Sequence, residues 1–313
     1  MRLVRHIRDL PHADLQAGSV VTIGSFDGLH FGHKQLLDQV ISKSRLMGMP
    51  SIVMSFEPTP KEFFSAANPP ARLMRFREKF EYLSGYGIDI FYCPRFSPAM
   101  RSIRSSDFIR KILVQGMNAR HIVVGDDFHF ARKREGNIDE LRRVQKPLDF
   151  AVDQVSSIIK DGVRVSSTAV RTALADGNLS LATSLLGRPY RMSGRIIRGR
   201  QIGKTIGYAT ANVDLGRRQS AVLGIFAVRV YGLKEGVISG VASVGTRPTF
   251  DLVKPLLEVH LLDFDRDVYG EYIHVDFIAR IRDELKFKSV EELVAEMDMD
   301  AENARSILAV HAS

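Results

Sequence analysis

Ten residues, Gly24-Ser25-Phe26-Asp27-Gly28-Leu29-His30-Phe31-Gly32-His33, constrain this chain more than any other feature. They follow the apolar run Val20–Ile23. They precede Lys34–Met47, where Leu36, Leu37, Val40, Ile41 and Met47 recur at helical spacing. The spacing therefore predicts a buried strand turning directly into a helix. Gly28 and Gly32 remove side chains where a ligand could approach the backbone. His30 and His33 are three apart, which puts both on one face of the first helical turn. A helix N-terminus with unpaired N–H groups and two imidazoles suits a polyphosphate. A metal-binding or purely structural pair of histidines is the competing reading of an H-x-x-H pattern alone.

The first ~185 residues continue in the same style. Short apolar runs at Val20–Ile23, Ser51–Phe56, Ile88–Cys93, His121–Val124 and Phe150–Val155 read as strands. Helical patterns separate them at Lys34–Met47, Leu73–Leu83, Ser106–Gln115 and Ile138–Val144. That alternation predicts an α/β unit, a Rossmann-like parallel sheet with covering helices. In such sheets ligands bind beyond the carboxyl ends of the strands. After Gly187-Arg188-Pro189 the texture changes. Runs rich in β-branched and aromatic residues at Arg195–Ile197, Ile225–Tyr231, Val237–Val244, Leu256–Phe264 and Tyr272–Ile278 predict an antiparallel β-barrel, closed by terminal helical pattern at Ser289–Ile307. The expected domains are 1–186 and 187–313.

Composition narrows the function classes. The chain has 313 residues, 45% of them hydrophobic, enough for a core in each half. A single cysteine, Cys93, excludes an intramolecular disulfide and suits a reducing compartment. No stretch approaches the roughly 20 apolar residues of a membrane span, and a cytoplasmic location without membrane partners is expected. The net charge of +8 invites a nucleic-acid reading. Its cations are spread along the chain, however, with no zinc-finger spacing or RNA-recognition aromatic motif. Small anionic ligands explain the charge equally well, so no nucleic-acid partner is expected.

Three further segments follow predicted strands of the first half. Val165–Arg171 reads V-S-S-T-A-V-R. Ser167 or Thr168 can cap a helix there, and Arg171 lies about one turn in, where a guanidinium could neutralise phosphate oxygens. Gly125–Gly136 reads G-D-D-F-H-F-A-R-K-R-E-G, and Phe56–Pro60 reads F-E-P-T-P. In the second half, Gly199–Thr205 imitates a P-loop but has three residues between its glycines where four are needed, and the residues after it do not read as a helix.

These motifs, in this order, resemble those of the bacterial bifunctional riboflavin kinase / FMN adenylyltransferase (FAD synthetase) family. Its patterns run roughly G-N-F-D-G-V-H-x-G-H, F-x-P-x-P, G-x-D-F-x-F-G-x-x-R-x-G and I-S-S-T-x-I-R. The resemblance implies that His30 and His33 stabilise charge on ATP phosphates, beside Gly24, Ser25, Phe26, Asp27 and Gly28. It further implies that Ser167, Thr168 and Arg171 hold the triphosphate, and that Asp127, Phe128 and Arg134 contact flavin. Two departures stand out: Ser25 replaces the usual Asn and lacks an amide's hydrogen-bond pattern, and Ala131 replaces the usual Gly.

Beyond residue 186 the resemblance continues. Gly203–Asn212, G-K-T-I-G-Y-A-T-A-N, is similar to the riboflavin kinase segment G-R-x-x-G-F-P-T-A-N, with Ala209 in place of Pro. It implies ATP contacts at Gly203, Lys204 and Gly207. It also implies Mg2+ ligation, with the ATP, by Thr210 and Asn212, whose hard oxygens suit that ion. A plain β-turn is the alternative for this segment. Gly240–Phe250 and Leu257–Phe264 also match, the second carrying Glu258 as the implied base for a riboflavin hydroxyl. An outward residue on a half-exposed strand is the other reading of Glu258. Arg247 and Arg305 would contact flavin. The usual Q-I before the last helix is Met297-Asp298 here. The implied partners are ATP, riboflavin and FMN, with FMN and FAD as substrate and product rather than prosthetic groups. Two other functions compete: an adenylyltransferase for a different phosphorylated metabolite, and a degenerate paralogue that keeps one activity or regulates by binding flavin or RNA.

Overall fold

The computed structural model describes residues 1–198, 210–248 and 253–310. The chain divides into two compact units. The first comprises Met1–Pro70 and Arg75–Val165; the second comprises Ala71–Met74 and Ser166–Ser313.

The first unit opens with β1 (Arg2–Val4), β2 (Ser19–Ile23) and α1 (Phe31–Met47). It continues with β3 (Ser51–Met54), α2 (Pro60–Phe64), α3 (Phe76–Tyr86), β4 (Ile90–Tyr92) and α4 (Pro98–Ser102). A single turn, α5 (Ser105–Asp107), runs into π-helical Phe108–Val114. Then come β5 (Ala119–Gly125), the hairpin β6 (His129–Phe130) and β7 (Gly136–Asn137), α6 (Ile138–Val144) and β8 (Ala151–Val155). A second hairpin, β9 (Ile159–Lys160) and β10 (Val163–Arg164), ends the unit. Six strands form one sheet in the order β1-β4-β3-β2-β5-β8, and every pairing is parallel. All residues of β2 and β3 are buried, as a sheet covered on both faces requires.

Sequence periodicity located β2, β3, β4, β5, β8, α1 and α6, left β1, α2, α4 and both hairpins unread, and differs informatively at two helices. The helix expected at Leu73–Leu83 starts only at Phe76. Arg75 occupies its N-cap, and its amide donates to Glu78 Oε2 at 2.6 Å, while Leu73 and Met74 are buried as part of the second unit. The pattern at Ser106–Gln115 is π-helical over most of its length, shown by Gln115 N–H bonding to Arg110 O. One extra residue per turn shifts the apolar face without removing it.

The second unit begins with α7 (Ser167–Ala175) and α8 (Leu179–Leu186). Six antiparallel strands follow: β11 (Tyr190–Ile197), β12 (Thr210–Asp214), β13 (Gly224–Leu233), β14 (Gly236–Pro248), β15 (Val253–Leu261) and β16 (Tyr272–Arg282). They close into a barrel in the order β11-β12-β15-β14-β13-β16. Leu257, Val259, Ala242, Val244, Phe226 and Val228 are fully buried and fill its interior. The terminal helix α9 (Val290–Val310) packs Ala301, Ala304 and Leu308 against Ala227, with Val241 and Ile278 beside them. Arg282 clamps it, donating to Asp300 at 2.9 and 2.6 Å and pairing with Glu296 at 3.0 Å. The sequence patterns supplied five barrel strands; β12, read there as a loop or turn, is the sixth.

Candidate active sites

The turn from β2 to α1 lies at the carboxyl end of a central strand, where the sheet topology places ligands. Its backbone is unusual. Phe26, Gly28 and Leu29 have φ of 47°, 85° and 45°, all in the left-handed region. Two of the three carry side chains, a strain of the kind that functional loops retain. Phe26, Asp27, Leu29 and His30 are buried.

His30 is the N-cap of α1, and its Nδ1 accepts from the His33 amide at 3.4 Å. An Nδ1 that accepts cannot carry the proton, so the neutral ring is protonated at Nε2, which can donate. The two imidazoles stack, with ring centroids 3.7 Å apart and planes 16° from parallel. A Cβ at Gly32 would stand 3.4 Å from His30 Cε1 and Nδ1, in van der Waals contact with the ring. The Phe26 ring lies 5.1 Å from that of His33. His33 Nδ1 is buried and has no hydrogen-bond partner among the described residues. Burial first, then His30, then Lys79, hold the His33 pKa well below the ordinary imidazole value. His33 is therefore neutral near pH 7.

Two features of this site escaped the sequence reading. Lys79, on α3, is buried and donates to the Ser25 carbonyl. Its signal was there: it stands on the Phe76, Phe80, Leu83 stripe, where a lysine needs an acceptor. The second is an aromatic cluster beyond β3. The rings of Phe56, Phe63 and Phe64 surround Phe96 at 5.4, 5.1 and 5.9 Å, with Arg101 over Phe64 and the Phe64 ring largely exposed.

Beyond β5, Asp126 accepts from the Ser157 amide at 2.8 Å and its hydroxyl at 2.7 Å, and pairs with Arg164. Desolvation alone would raise its pKa, but these bonds and the Arg164 charge lower it. Asp127 is exposed and 3.4 Å from Arg164. Phe128 is half-buried and stacks on Phe130 at 5.4 Å. Ala131, Lys133 and Arg134 all take positive φ, and Arg134 lies 3.2 Å from His129 Nδ1.

Ser167, Thr168 and Arg171 fall within the second unit. The cap of α7 is Ser166, whose hydroxyl accepts from the Ala169 amide at 3.1 Å, rather than Ser167 or Thr168 as the sequence suggested. The Ser-Ser-Thr run offers three possible caps, and only backbone geometry selects among them. Arg171 donates to the carbonyls of Ala71 at 2.7 Å and Ser167 at 3.2 Å.

On the barrel, Asn212 of β12 stands directly opposite Glu258 of β15, which stands opposite Ser243 of β14. Thr210 and His260 form the adjacent row. Cross-strand partners share a face, and their neighbours Ala211, Leu257, Val259, Ala242 and Val244 fill the interior. The polar set therefore lies on the outer face, next to the region covered by α9. Glu258 and Thr210 are half-buried, while Asn212 is buried. Arg305, on α9, donates to Asp263 at 2.8 Å. Arg247 lies on β14; Gly203, Lys204, Gly207 and Ala209 lie outside the described residues. Among the described residues no group of three or more His, Cys, Asp or Glu side chains is arranged to hold a metal, and no helix is long and apolar enough to cross a membrane.

Comparison with known proteins finds a family for each part of the chain. Residues 12–169 match the family described as FAD synthetase, and residues 186–308 match riboflavin kinase. The bifunctional riboflavin kinase/FMN adenylyltransferase of Escherichia coli K12 is 45% identical over 305 residues, covering 97% of both chains. The Haemophilus influenzae protein of the same description is 40% identical over 302 residues, covering 96% of this chain and 98% of that one. A Streptococcus pneumoniae crystal structure, described as a macrolide-efflux protein, superposes with a TM-score of 0.81 at 31% identity, over 97% of this chain and 98% of that one. The chain belongs to the bifunctional riboflavin kinase/FMN adenylyltransferase family.

Proposed function

We propose that the two activities of this family, phosphorylation of riboflavin to FMN and adenylylation of FMN to FAD, reside in two separate residue sets. The observation carrying this reading is that the stacked His30–His33 pair at the start of α1 belongs to the first compact unit and the Asn212–Glu258 face of the barrel to the second. We set the functional division at 186/187, a reading supported by the riboflavin kinase match over residues 186–308.

In the first set, FMN phosphate attacks the α-phosphorus of ATP and pyrophosphate leaves. The nucleophile is already anionic, so positioning and charge stabilisation suffice. His30 Nε2–H and the neutral His33 donate to phosphate oxygens. Backbone amides of Ser25–Gly28 contribute with them, the Gly24 amide being bonded to the Met54 carbonyl at 3.0 Å, and Ser167, Thr168 and Arg171 are assigned to the triphosphate by resemblance. Asp127, Phe128 and Arg134, with the exposed face of Phe64, are assigned to the flavin of FMN, because isoalloxazine is a flat aromatic system that stacks on such rings.

In the second set, Glu258 accepts the proton of the riboflavin hydroxyl as its oxygen attacks the γ-phosphorus, and ADP leaves. Thr210 and Asn212 present hard oxygen donors two residues apart on one face, opposite a carboxylate, a set that fits Mg2+ brought in with ATP. The ion supplies neutralisation of phosphate charge. Gly203, Lys204 and Gly207 are assigned to ATP, and Arg247 and Arg305 to flavin. ATP, riboflavin and FMN are then the partners, and a cytoplasmic location follows from these soluble substrates.

The test is to incubate the full chain with riboflavin, ATP and Mg2+ and to follow FMN and FAD by chromatography. The His30→Ala/His33→Ala double variant is expected to accumulate FMN without FAD. FAD formation at the wild-type rate by that variant overturns the assignment of the first set.

A further inference from the structure

Lys79 is 3% exposed and sits on the apolar stripe of α3. An ammonium is buried at high cost unless acceptors hold it. Its Nζ donates to the Ser25 carbonyl at 2.5 Å and reaches the Ser55 hydroxyl at 3.4 Å. Ser55 Oγ donates to the same carbonyl at 3.2 Å. One carbonyl of the Gly24–His33 turn thus accepts from two donors, one from α3 and one from the end of β3. The Ser25–Phe26 peptide is planar and trans, so its N–H faces away from the carbonyl that Lys79 holds. An ammonium on the carbonyl polarises the peptide and strengthens that N–H as a donor. From Phe26 onward the chain runs through its left-handed residues to His30. The peptide pinned by Lys79 is therefore the root of the strained turn.

We propose that Lys79 is a positioning residue for adenylyl transfer: from beneath the turn it fixes and polarises the Ser25–Phe26 peptide and supplies positive charge under the phosphate site. It acts through Ser25 and touches no reacting atom. The proposal rests on reading Gly24–His33 as the phosphate site. The same cation opposes protonation of His33, alongside burial and His30.

The test uses the full chain carrying Lys79→Met, which keeps an unbranched side chain and removes the charge. The kcat/KM for FAD formation is expected to fall about 10- to 100-fold. The inflection that His33 contributes to its pH profile moves to higher pH. Riboflavin phosphorylation by the same preparation stays at its normal rate. Ser55→Ala, which removes only the hydroxyl, is expected to lose about 2- to 10-fold in FAD formation. The His30→Ala/His33→Ala variant separates the two levels of the argument, because if it still makes FAD the phosphate-site reading itself falls. If it makes none, while Lys79→Met keeps the normal kcat/KM and pH profile, the proposal is overturned. An unshifted pH profile with both activities lowered marks Lys79 as a packing residue and also overturns it. Should Lys79→Met not fold, Ser55→Ala decides: a loss confined to FAD formation supports the proposal, and normal rates overturn it.

Discussion

Asn212 and Glu258 face each other across adjacent antiparallel strands of the barrel, and their backbones are in register. An amide opposite a carboxylate on an outer face, with Thr210 two residues along, concentrates oxygen donors on a surface whose other side is wholly apolar. Replacing Glu258 by Gln keeps the shape and removes the carboxylate proposed as base. FMN formation from riboflavin is expected to fall by ~10²–10⁴, while FAD formation from supplied FMN continues. Thr210→Ala is expected to raise the Mg2+ concentration needed for half-maximal kinase rate. Normal phosphorylation by Glu258→Gln would reduce Glu258 to an ordinary strand residue.

His33 gives stability a pH dependence. Its folded pKa is depressed, whereas the unfolded chain takes up this proton near pH 6.5. Between those values the unfolded state binds more protons, so the contribution is complete above about pH 6.5 and is lost as pH falls toward the folded pKa. Urea midpoints measured from pH 8 to pH 5 should decline less for His33→Gln than for the natural chain. Parallel curves would mean that His33 titrates alike in both states.

Ala131 has φ 64° and ψ −172°, a region that is essentially glycine's. Holding alanine there costs on the order of 1–3 kcal/mol, and glycine gives back ~0.4–1 kcal/mol through the unfolded chain. Ala131→Gly is therefore expected to stabilise the first unit by about 1 kcal/mol, read as a higher urea midpoint. A lower midpoint would show that the loop accommodates alanine without strain.

The packing of α8 bears on where the chain can be cut. Leu179, Ala182, Leu185 and Leu186 are buried, and α8 lies against β11 and β16 within the second unit. A fragment of residues 166–313 should melt higher than one of residues 187–313, by about 10 °C for a difference near 3 kcal/mol. Both should phosphorylate riboflavin if the kinase set is complete beyond residue 186. Equal melting temperatures would assign α8 no part in supporting the barrel.

Much of this was readable from residue order because strand–helix alternation and the ten-residue turn are local signals. The run Val20–Ile23 and the stripe from Leu36 to Met47 place His30 at a helix start without any long-range information. β12 was not readable: Thr210-Ala211-Asn212 has turn-like composition, and it is a strand only because β11 and β15 need a neighbour on each side. The Asn212–Glu258 pairing depends on register between distant segments, which no spacing rule supplies. Lys79 lay between, visible as a charge on an apolar stripe but unassignable until α3 was seen to pass beneath Ser25. The choice of Ser166 over Ser167 as cap turned on a single backbone conformation.

Asp126 carries one more consequence. By gripping Ser157 and Arg164 it fastens both ends of the β9–β10 hairpin to the tip of β5. At the hairpin's far end Lys160 rests over the ring of Phe31, 3.9 Å from its centre, and Phe31 is the residue between His30 and Gly32. The hairpin is thus an arm with its shoulder on the sheet and its hand at the mouth of the first helix. Where that hand falls is governed from the shoulder, by a carboxylate remote in sequence from the residues it aligns.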